Sequence, residues 1–345
     1  MTGIQIQMGI PSKGRMGQET ENFLNKCGLT VIRRKREYLG SILTIPEIQL
    51  IFQRQKDILR GVENESLSFG IIGYDLLKEY ANLTGNEVVI LHDGLGFGKC
   101  TLELAIPEGW KEDSLVQILK NKKKIRIATK YTRLASQFQE VCKNQFEIIN
   151  GNGSIEVFPT LGYSDAIIDL VSTGQTIKDN RLKRISGGII LKSQAIFIGN
   201  RKMLKNPKIL AVAKEILEYF EATIRANEYL QIFANMKESD PKKIAQALFS
   251  IPELVGLQGP TISPVYKKDG TLWNAIHIIV KKNQLQEAIQ SLRKIGGSGV
   301  IVSPALYIFE EEPPQYLNLL REMQNELKNN GKGCEENGDP NLKIL

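Results

Sequence analysis

Apolar positions along this chain fall into short blocks whose spacing switches repeatedly between alternation and helical periodicity. Residues 4–10 alternate as a strand, the turn Pro11-Ser12-Lys13-Gly14-Arg15 follows, and a helix is expected to about residue 26. Strands are expected at 42–45, 48–53, 69–72 and 87–91, with helices near 57–62 and 74–80. A second run of the same kind starts near Lys99, with strands at 102–106, 125–128 and 146–149 and helices at 114–119 and 132–143. The chain then returns through strands at 188–191 and 195–199 and a long amphipathic helix at 207–226. This alternation predicts an α/β architecture with mainly parallel sheets and helices on both faces.

From Tyr229 the pattern changes. Strand 229–236, helix 241–249, a hairpin of strands 261–266 and 272–280 around Lys267-Lys268-Asp269-Gly270, helix 285–295 and strand 299–303 read as β-α-β-β-α-β, a ferredoxin-like unit. Pro313-Pro314 opens a polar helix to about residue 328. Residues 329–345, rich in Asn, Gly, Lys and Glu, are expected to be frayed or disordered.

Chemistry concentrates in residues 156–176, EVFPTLGYSDAIIDLVSTGQT. Alternation puts Asp165, Ile167 and Asp169 on one strand face. The loop Ser172-Thr173-Gly174-Gln175-Thr176 follows at once, and a helix-like run at 177–182 comes after it. A strand, a small hydroxyl- and glycine-containing loop and a helix start present N–H groups to a phosphate, and an acid just before the loop can bind ribose hydroxyls. A polar turn with helix-capping Ser and Thr is the plain alternative.

Composition narrows the class. Hydrophobic content of 42% and charged content of 24% are those of a globular protein, and no apolar run approaches the ~18 residues of a membrane span. The N-terminal sequence alternates like a strand and carries no signal-peptide core, so the expected compartment is cytoplasmic. Cys27, Cys100, Cys142 and Cys334 are scattered, and His92 and His277 have no metal-ligand neighbours in sequence, so neither a disulfide framework nor a protein-built metal site is signalled. A net charge of +7 suits a polyphosphate substrate or nucleic acid. The basic clusters Arg33-Arg34-Lys35-Arg36 and Lys122-Lys123-Lys124 lack interleaved aromatics, so no nucleic-acid partner is expected. The lysine run reads as a solvated loop; the arginine run reads equally as solvated or anion-facing surface.

Other motifs leave two readings open. Lys13 and Arg15 either face anionic oxygens or sit on a solvated turn. Arg54 either grips phosphate or pairs with Asp57 structurally. In DGLGFGKC (93–100), Asp93 and Cys100 break the P-loop pattern, and Gly94, Gly96 and Gly98 break the dinucleotide fingerprint, leaving a flexible glycine run before Lys99. In Ala128-Thr129-Lys130-Tyr131, Thr129 is placed as a helix N-cap and Tyr131 as a ring that could stack on a base.

These segments together resemble ATP phosphoribosyltransferase, the first enzyme of histidine biosynthesis, in its long form. Glu156, Gly162, Asp169, Thr173, Gly174 and Thr176 fit the family's signature, with Ile177 in place of Leu or Met. Ser12-Lys13-Gly14-Arg15, Arg54 with Asp57 (Gln55 replacing a proline), Leu95-Gly96-Phe97-Gly98-Lys99-Cys100 and Gly151-Asn152-Gly153-Ser154 match further family motifs. GPTISP (259–264), AIHIIV (275–280) and GGSGVIVSP (296–304) resemble its histidine-binding third domain.

The resemblance implies two periplasmic-binding-protein-like lobes, residues 1–98 with 184–226 and residues 99–183, followed by an ACT-like domain at 227–310 and an extension at 311–345. It implies transfer of phosphoribosyl from phosphoribosyl pyrophosphate to N1 of ATP, with Mg²⁺ as cofactor bridging phosphates. By carry-over, Asp169, Lys13, Arg15 and Arg54 are catalytic. Asp165, Asp169, Ser172, Thr173, Gly174, Gln175 and Thr176 hold phosphoribosyl pyrophosphate, with Asp165 either assisting or merely polar surface. Arg15, Lys130, Tyr131 and Glu156 line the ATP pocket. Thr261, Ser263, His277 and Ser298 bind inhibitory histidine, and the chain forms homo-oligomers, dimers joining into hexamers. Two rival readings of the residues are a two-lobed solute-binding protein and a phosphoribosyltransferase acting on another base.

Overall fold

Three β-sheets organise the described residues. The computed structural model describes residues 6–33, 37–80, 87–122, 124–143 and 145–335. Ile4 and Gln5 of the first predicted strand, Arg34, Lys35 and Arg36, Lys123 and residues 336–345 lie outside the described residues. Contacts divide the chain into two units, one of residues 1–214 with 318–345 and one of residues 215–317.

In the first unit, a seven-stranded sheet runs in the order Val31–Ile32, Leu39–Ile42, Ile48–Gln53, Ile6–Pro11, Phe69–Gly73, Ala195–Asn200, Val88–His92. Its central strands Phe69–Gly73 and Ala195–Asn200 are buried at every position. Burial on both faces calls for the near-continuous apolar runs that the sequence supplies there. A Cβ on Gly70 would lie 2.5 Å from Cγ2 of Ile58 on the helix Gln55–Glu63, so a glycine lets that helix seat on the sheet. The strands Ile6–Pro11 and Ile48–Gln53 are parallel with Pro11 opposite Gln53, so the turns carrying Lys13 and Arg54 leave the sheet side by side.

The second sheet has the order Leu182–Ser193, Cys100–Pro107, Ala166–Val171, Ile125–Thr129, Phe146–Asn150. Leu102, Leu104, Ile106, Ile127, Ala166 and Ile168 face one core, and Ala105, Ile167, Val171 and Ile177 face another. The chain passes between the two sheets at residues 93–99 and again at Gln194.

Four sequence expectations are corrected. The sheets are mixed rather than mainly parallel, because Ala195–Asn200 and Cys100–Pro107, the strands following the two crossings, run antiparallel to both of their neighbours. The strand expected at 42–45 lies at Leu39–Ile42, and the chain turns ahead of Pro46, which has no N–H to extend a ladder. The strand expected at 188–191 is the twelve-residue Leu182–Ser193, whose register shifts between Arg184 and Ile189 around Gly187 at φ +76°. The return to the first lobe therefore comes at Gln194 and not at 184.

The second unit contains a four-stranded antiparallel sheet ordered Thr261–Tyr266, Leu272–Lys281, Tyr229–Met236, Gly297–Pro304. With helices Pro241–Phe249 and Leu285–Lys294 over one face, it has the predicted βαββαβ arrangement. Beyond it, Arg225 pairs with Glu310 at 3.2 Å, and Glu221 accepts the Gln315 N–H at 3.0 Å at the start of the final helix. That helix, Pro314–Glu335, continues past the expected end at residue 328.

Candidate active site

The strands Ile125–Thr129 and Ala166–Val171 are parallel, and the loops at their carboxyl ends hold the signature residues. Asp169 stands on the last turn of the pleat before the 172–176 loop, half-buried, with one carboxylate oxygen accepting the Leu170 N–H at 2.8 Å. Burial pushes its carboxyl above the ordinary aspartate value; the nearby Glu156 adds to this, while the Leu170 amide and Lys130 oppose it. Glu156 lies on the short turn Ile155–Val157, and its Oε2 is buried without a hydrogen-bond partner. An unpaired buried carboxylate oxygen beside a second carboxylate is costly unless a ligand completes it.

Gly174, at φ +80°, turns the chain into the helix Gln175–Asp179. Ser172 and Thr173 are exposed, Thr173 Oγ1 accepts the Gln175 N–H at 3.4 Å, and Gln175 donates to Asp179 at 2.6 Å. Thr176 is exposed, its carbonyl accepting from Asn180 at 2.9 Å.

Ser172 and Cys100 line two cavities. One, of about 300 Å³, lies between the lobes and is also lined by Arg15, Gln55, Asp75 and Tyr131. The other, of about 510 Å³, is bounded by Lys99, Arg184 and Lys192. Arg15 is aimed by Glu19 (3.0 Å) and donates to the Lys99 carbonyl (3.3 Å), which fixes a cation at the cleft. Lys13 is the exposed residue preceding the helix Gly14–Lys26, and Arg54 the exposed residue preceding Gln55–Glu63. Among the described residues Arg54 and Asp57 form no ion pair. Gln55, where the family pattern has proline, accepts the Gly73 N–H at 2.7 Å and so ties its helix to the end of the neighbouring strand.

Asp165 is not brought to the loop. It sits at the opposite end of the strand from Val171, six residues and roughly 20 Å away. There it accepts the Arg126 backbone N–H (2.8 Å) and pairs with the Arg126 guanidinium (2.9 Å), which holds its carboxyl below the ordinary range. Tyr131 is not an open stacking platform either. Its ring is 8% exposed within the second lobe's core, and its hydroxyl donates to Asp75 of the first lobe at 2.9 Å. Burial and the Asp75 charge push the phenol far above its ordinary value. Thr129 does not cap the following helix by itself: it accepts the Tyr131 N–H, while Glu79, from the first lobe, accepts the Arg133 and Leu134 amides at 3.0 Å each.

Sequence reasoning missed Asp75, Glu79, Glu103 and Arg184. Glu103 had a visible signal, a lone charge in the apolar run Leu102-Glu103-Leu104-Ala105-Ile106. Asp75 and Glu79 had none, since their partners are more than fifty residues away in sequence.

In the second unit, Thr261 lies opposite His277 and Ser263 opposite Ala275, so Thr261, Ser263 and His277 share the sheet face away from the helices. His277 stacks on Phe233 (ring centroids 4.4 Å apart) and its Nε2 is 3.2 Å from Gln231. Ser298 is on the far edge strand, three strand spacings or about 14 Å from Ser263, and donates to the Asn235 carbonyl. The four residues do not converge on one pocket within a single chain.

The ATP phosphoribosyltransferase family profile matches residues 54–222, and the HisG C-terminal domain profile matches residues 226–305. ATP phosphoribosyltransferase 2, chloroplastic, of Arabidopsis thaliana is 41% identical over 334 residues, which span 92% of this chain and 80% of that protein. ATP phosphoribosyltransferase of Azobacteroides pseudotrichonymphae is 34% identical over 300 residues, 87% of this chain and 98% of that one. A chain of the ATP phosphoribosyl transferase (HisG:HisZ) complex from Thermotoga maritima superposes on 63% of this chain and 98% of its own length with a TM-score of 0.50 at 23% identity, a likeness of fold. No described helix is long and apolar enough to cross a membrane. With two family profiles end to end and relatives matched along most of their length, the chain belongs to the ATP phosphoribosyltransferase family, the pentosyltransferases of the first step of histidine biosynthesis.

Proposed function

We propose that the cleft transfers the phosphoribosyl group of phosphoribosyl pyrophosphate to N1 of the adenine of ATP. The N1 lone pair forms the new bond to the anomeric carbon as its bond to pyrophosphate breaks, and pyrophosphate leaves with the bonding electrons. The observation that carries this reading is the placement of Asp169 just before the glycine-turned 172–174 loop, at the carboxyl end of a parallel strand, with the orphaned Glu156 oxygen on a side chain whose charge acts on Asp169. The loop holds the 5′-phosphate, and Asp169 the ribose hydroxyls. Arg15, with Lys13 and Arg54 on neighbouring turns, neutralises the remaining phosphates, and Lys130 serves ATP. Catalysis then rests on positioning two anions and stabilising the leaving group rather than on a protein nucleophile.

Mg²⁺ fits this donor set as a substrate-borne ion. Asp169 and Glu156 would hold such an ion through their carboxylates, and it would supply stabilisation of the charge on departing pyrophosphate. Among the described residues no cluster of three or more His, Cys, Asp or Glu forms a cage.

Histidine inhibition is proposed for the C-terminal sheet, through Thr261, Ser263, His277 and Ser298. The spread of these residues across the sheet favours a site completed by a second copy, in a homo-oligomer of dimers or hexamers. The proposed compartment is the cytoplasm; the plant relative is named as chloroplastic, and fractionation separates the two.

The test is incubation with ATP, phosphoribosyl pyrophosphate and Mg²⁺, with pyrophosphatase to draw the reaction forward and mass spectrometry to detect phosphoribosyl-ATP. Product that histidine suppresses supports both parts. Product insensitive to histidine removes the regulatory part, and product formed only with another base overturns the substrate assignment.

A further inference from the structure

Glu103 is the single charge in the strand Cys100–Pro107, and its side chain is 2% exposed. It lies directly opposite Asp169 on the adjacent antiparallel strand, so the two side chains share a face. Arg184, on the strand at Glu103's other side, grips it with both prongs: Nε donates to Oε2 at 2.6 Å and Nη2 to Oε1 at 2.5 Å. Thr101 Oγ1 also donates to Glu103 Oε1, and it lies 3.2 Å from the carbonyl of Val171, the residue from which the 172–176 loop departs. A Cβ on Gly174 would come within 3.9 Å of Arg184 Cδ, so the arginine stem backs the loop at its left-handed residue. Arg184 also lines, with Ser172, the cavity of about 510 Å³.

We propose that Arg184, clamped by Glu103, is a positioning residue for the 172–176 loop: it supports the loop from behind and cancels a buried negative charge that would otherwise face the phosphate site. This rests on the reading of that loop as the phosphoribosyl pyrophosphate site. The physics is that of a buried carboxylate held by a bidentate guanidinium. The pair adds little net stability, yet removing the cation alone strands a charge in a poorly solvated position. Stranded here, it would lie across from Asp169 and repel the incoming anion, while the loop would lose its backing at Gly174. Lys130, assigned to ATP, is no partner of Arg184 or Glu103 among the described residues, so ATP would feel neither effect directly.

Steady-state kinetics test this. Arg184→Met should raise KM for phosphoribosyl pyrophosphate about tenfold or more, the scale of coupling between close charge pairs, with KM for ATP unmoved. Arg184→Met combined with Glu103→Gln, which removes the stranded charge together with its partner, should recover most of that loss. Unchanged KM for phosphoribosyl pyrophosphate in the single variant overturns the proposal. A double variant no better than the single also overturns it, since that would make Arg184 a direct ligand. If Arg184→Met does not fold, Arg184→Lys carries the test: charge without the fork should give a smaller rise confined to the same KM, and a KM equal to wild type overturns the proposal. The wild type is assayed alongside. If it makes no phosphoribosyl-ATP, the reading of the site falls and the proposal with it; if it does, a failure of the variants touches the proposal alone.

Discussion

The Tyr131 hydroxyl donates to Asp75 at 2.9 Å, joining the core of the second lobe to the start of a first-lobe helix. Asp75 also accepts from the Ser193 hydroxyl at 2.6 Å, beside the return crossing. Both residues are buried, so this bond is shielded from water and from salt. Tyr131→Phe leaves one buried carboxylate oxygen short of a donor. It should lower unfolding stability by about 1–3 kcal/mol, seen as a lower urea midpoint. An unchanged midpoint would mean that the bond contributes nothing to lobe association.

Glu79 makes the second link, taking two first-turn amides of the helix Thr132–Val141 from across the cleft. A carboxylate at a helix N-terminus satisfies orphan donors and meets the positive end of the dipole. Glu79→Ala should cost about 1–2 kcal/mol, and Glu79→Gln, which keeps one acceptor oxygen, less. Hydrogen exchange should show the amides of Arg133 and Leu134 losing protection first. Equal stability of all three proteins would contradict the cap.

Asp169 gives a prediction with a sign. Its carboxyl is raised by burial, so the native state holds the proton more tightly than the unfolded chain. The stabilising contribution is complete below the ordinary aspartate value and is lost as pH rises through the raised one. Asp169→Asn, which carries no such charge, should therefore melt higher than wild type at neutral pH, with the gap closing in acid. A variant less stable at neutral pH would show that the charge is compensated within the protein.

Asp165 behaves oppositely. Arg126 lowers its carboxyl, so its contribution is present above the ordinary aspartate value and is lost as pH falls through the lowered one. The pair is partly exposed, and Asp165→Asn should cost no more than about 1 kcal/mol. KM for phosphoribosyl pyrophosphate should stay as in wild type. A selective rise in that KM would restore the substrate role that the strand's length denies it.

Much of the fold was legible because local signals carried it. The apolar blocks gave Ile48–Gln53, Phe69–Gly73 and the βαββαβ unit, and the Ser172–Thr176 loop was found from its hydroxyl and glycine content. What escaped depends on partners distant in sequence. Alternation placed Asp165 and Asp169 on one face correctly but could not tell which end of the strand meets the cleft. Tyr131 looked like an exposed aromatic because its burial comes from the core around Leu134 and Phe146, and its acceptor lies 56 residues earlier. The antiparallel strands escaped because the direction of a strand after a crossing is not written in its own residues. Gln55 stands in sequence only as a departure from the family's proline, whereas its side chain supplies a tether to Gly73 that proline could not make.

The most direct test of the account is the kinetics of Asp169→Asn in a protein shown by its melt to be folded. The account predicts a KM for phosphoribosyl pyrophosphate raised at least about tenfold, the cost of losing charge-assisted hydrogen bonds to the ribose, with KM for ATP unmoved. A variant that binds phosphoribosyl pyrophosphate and turns over as wild type does would contradict the placement of the substrate at this strand end.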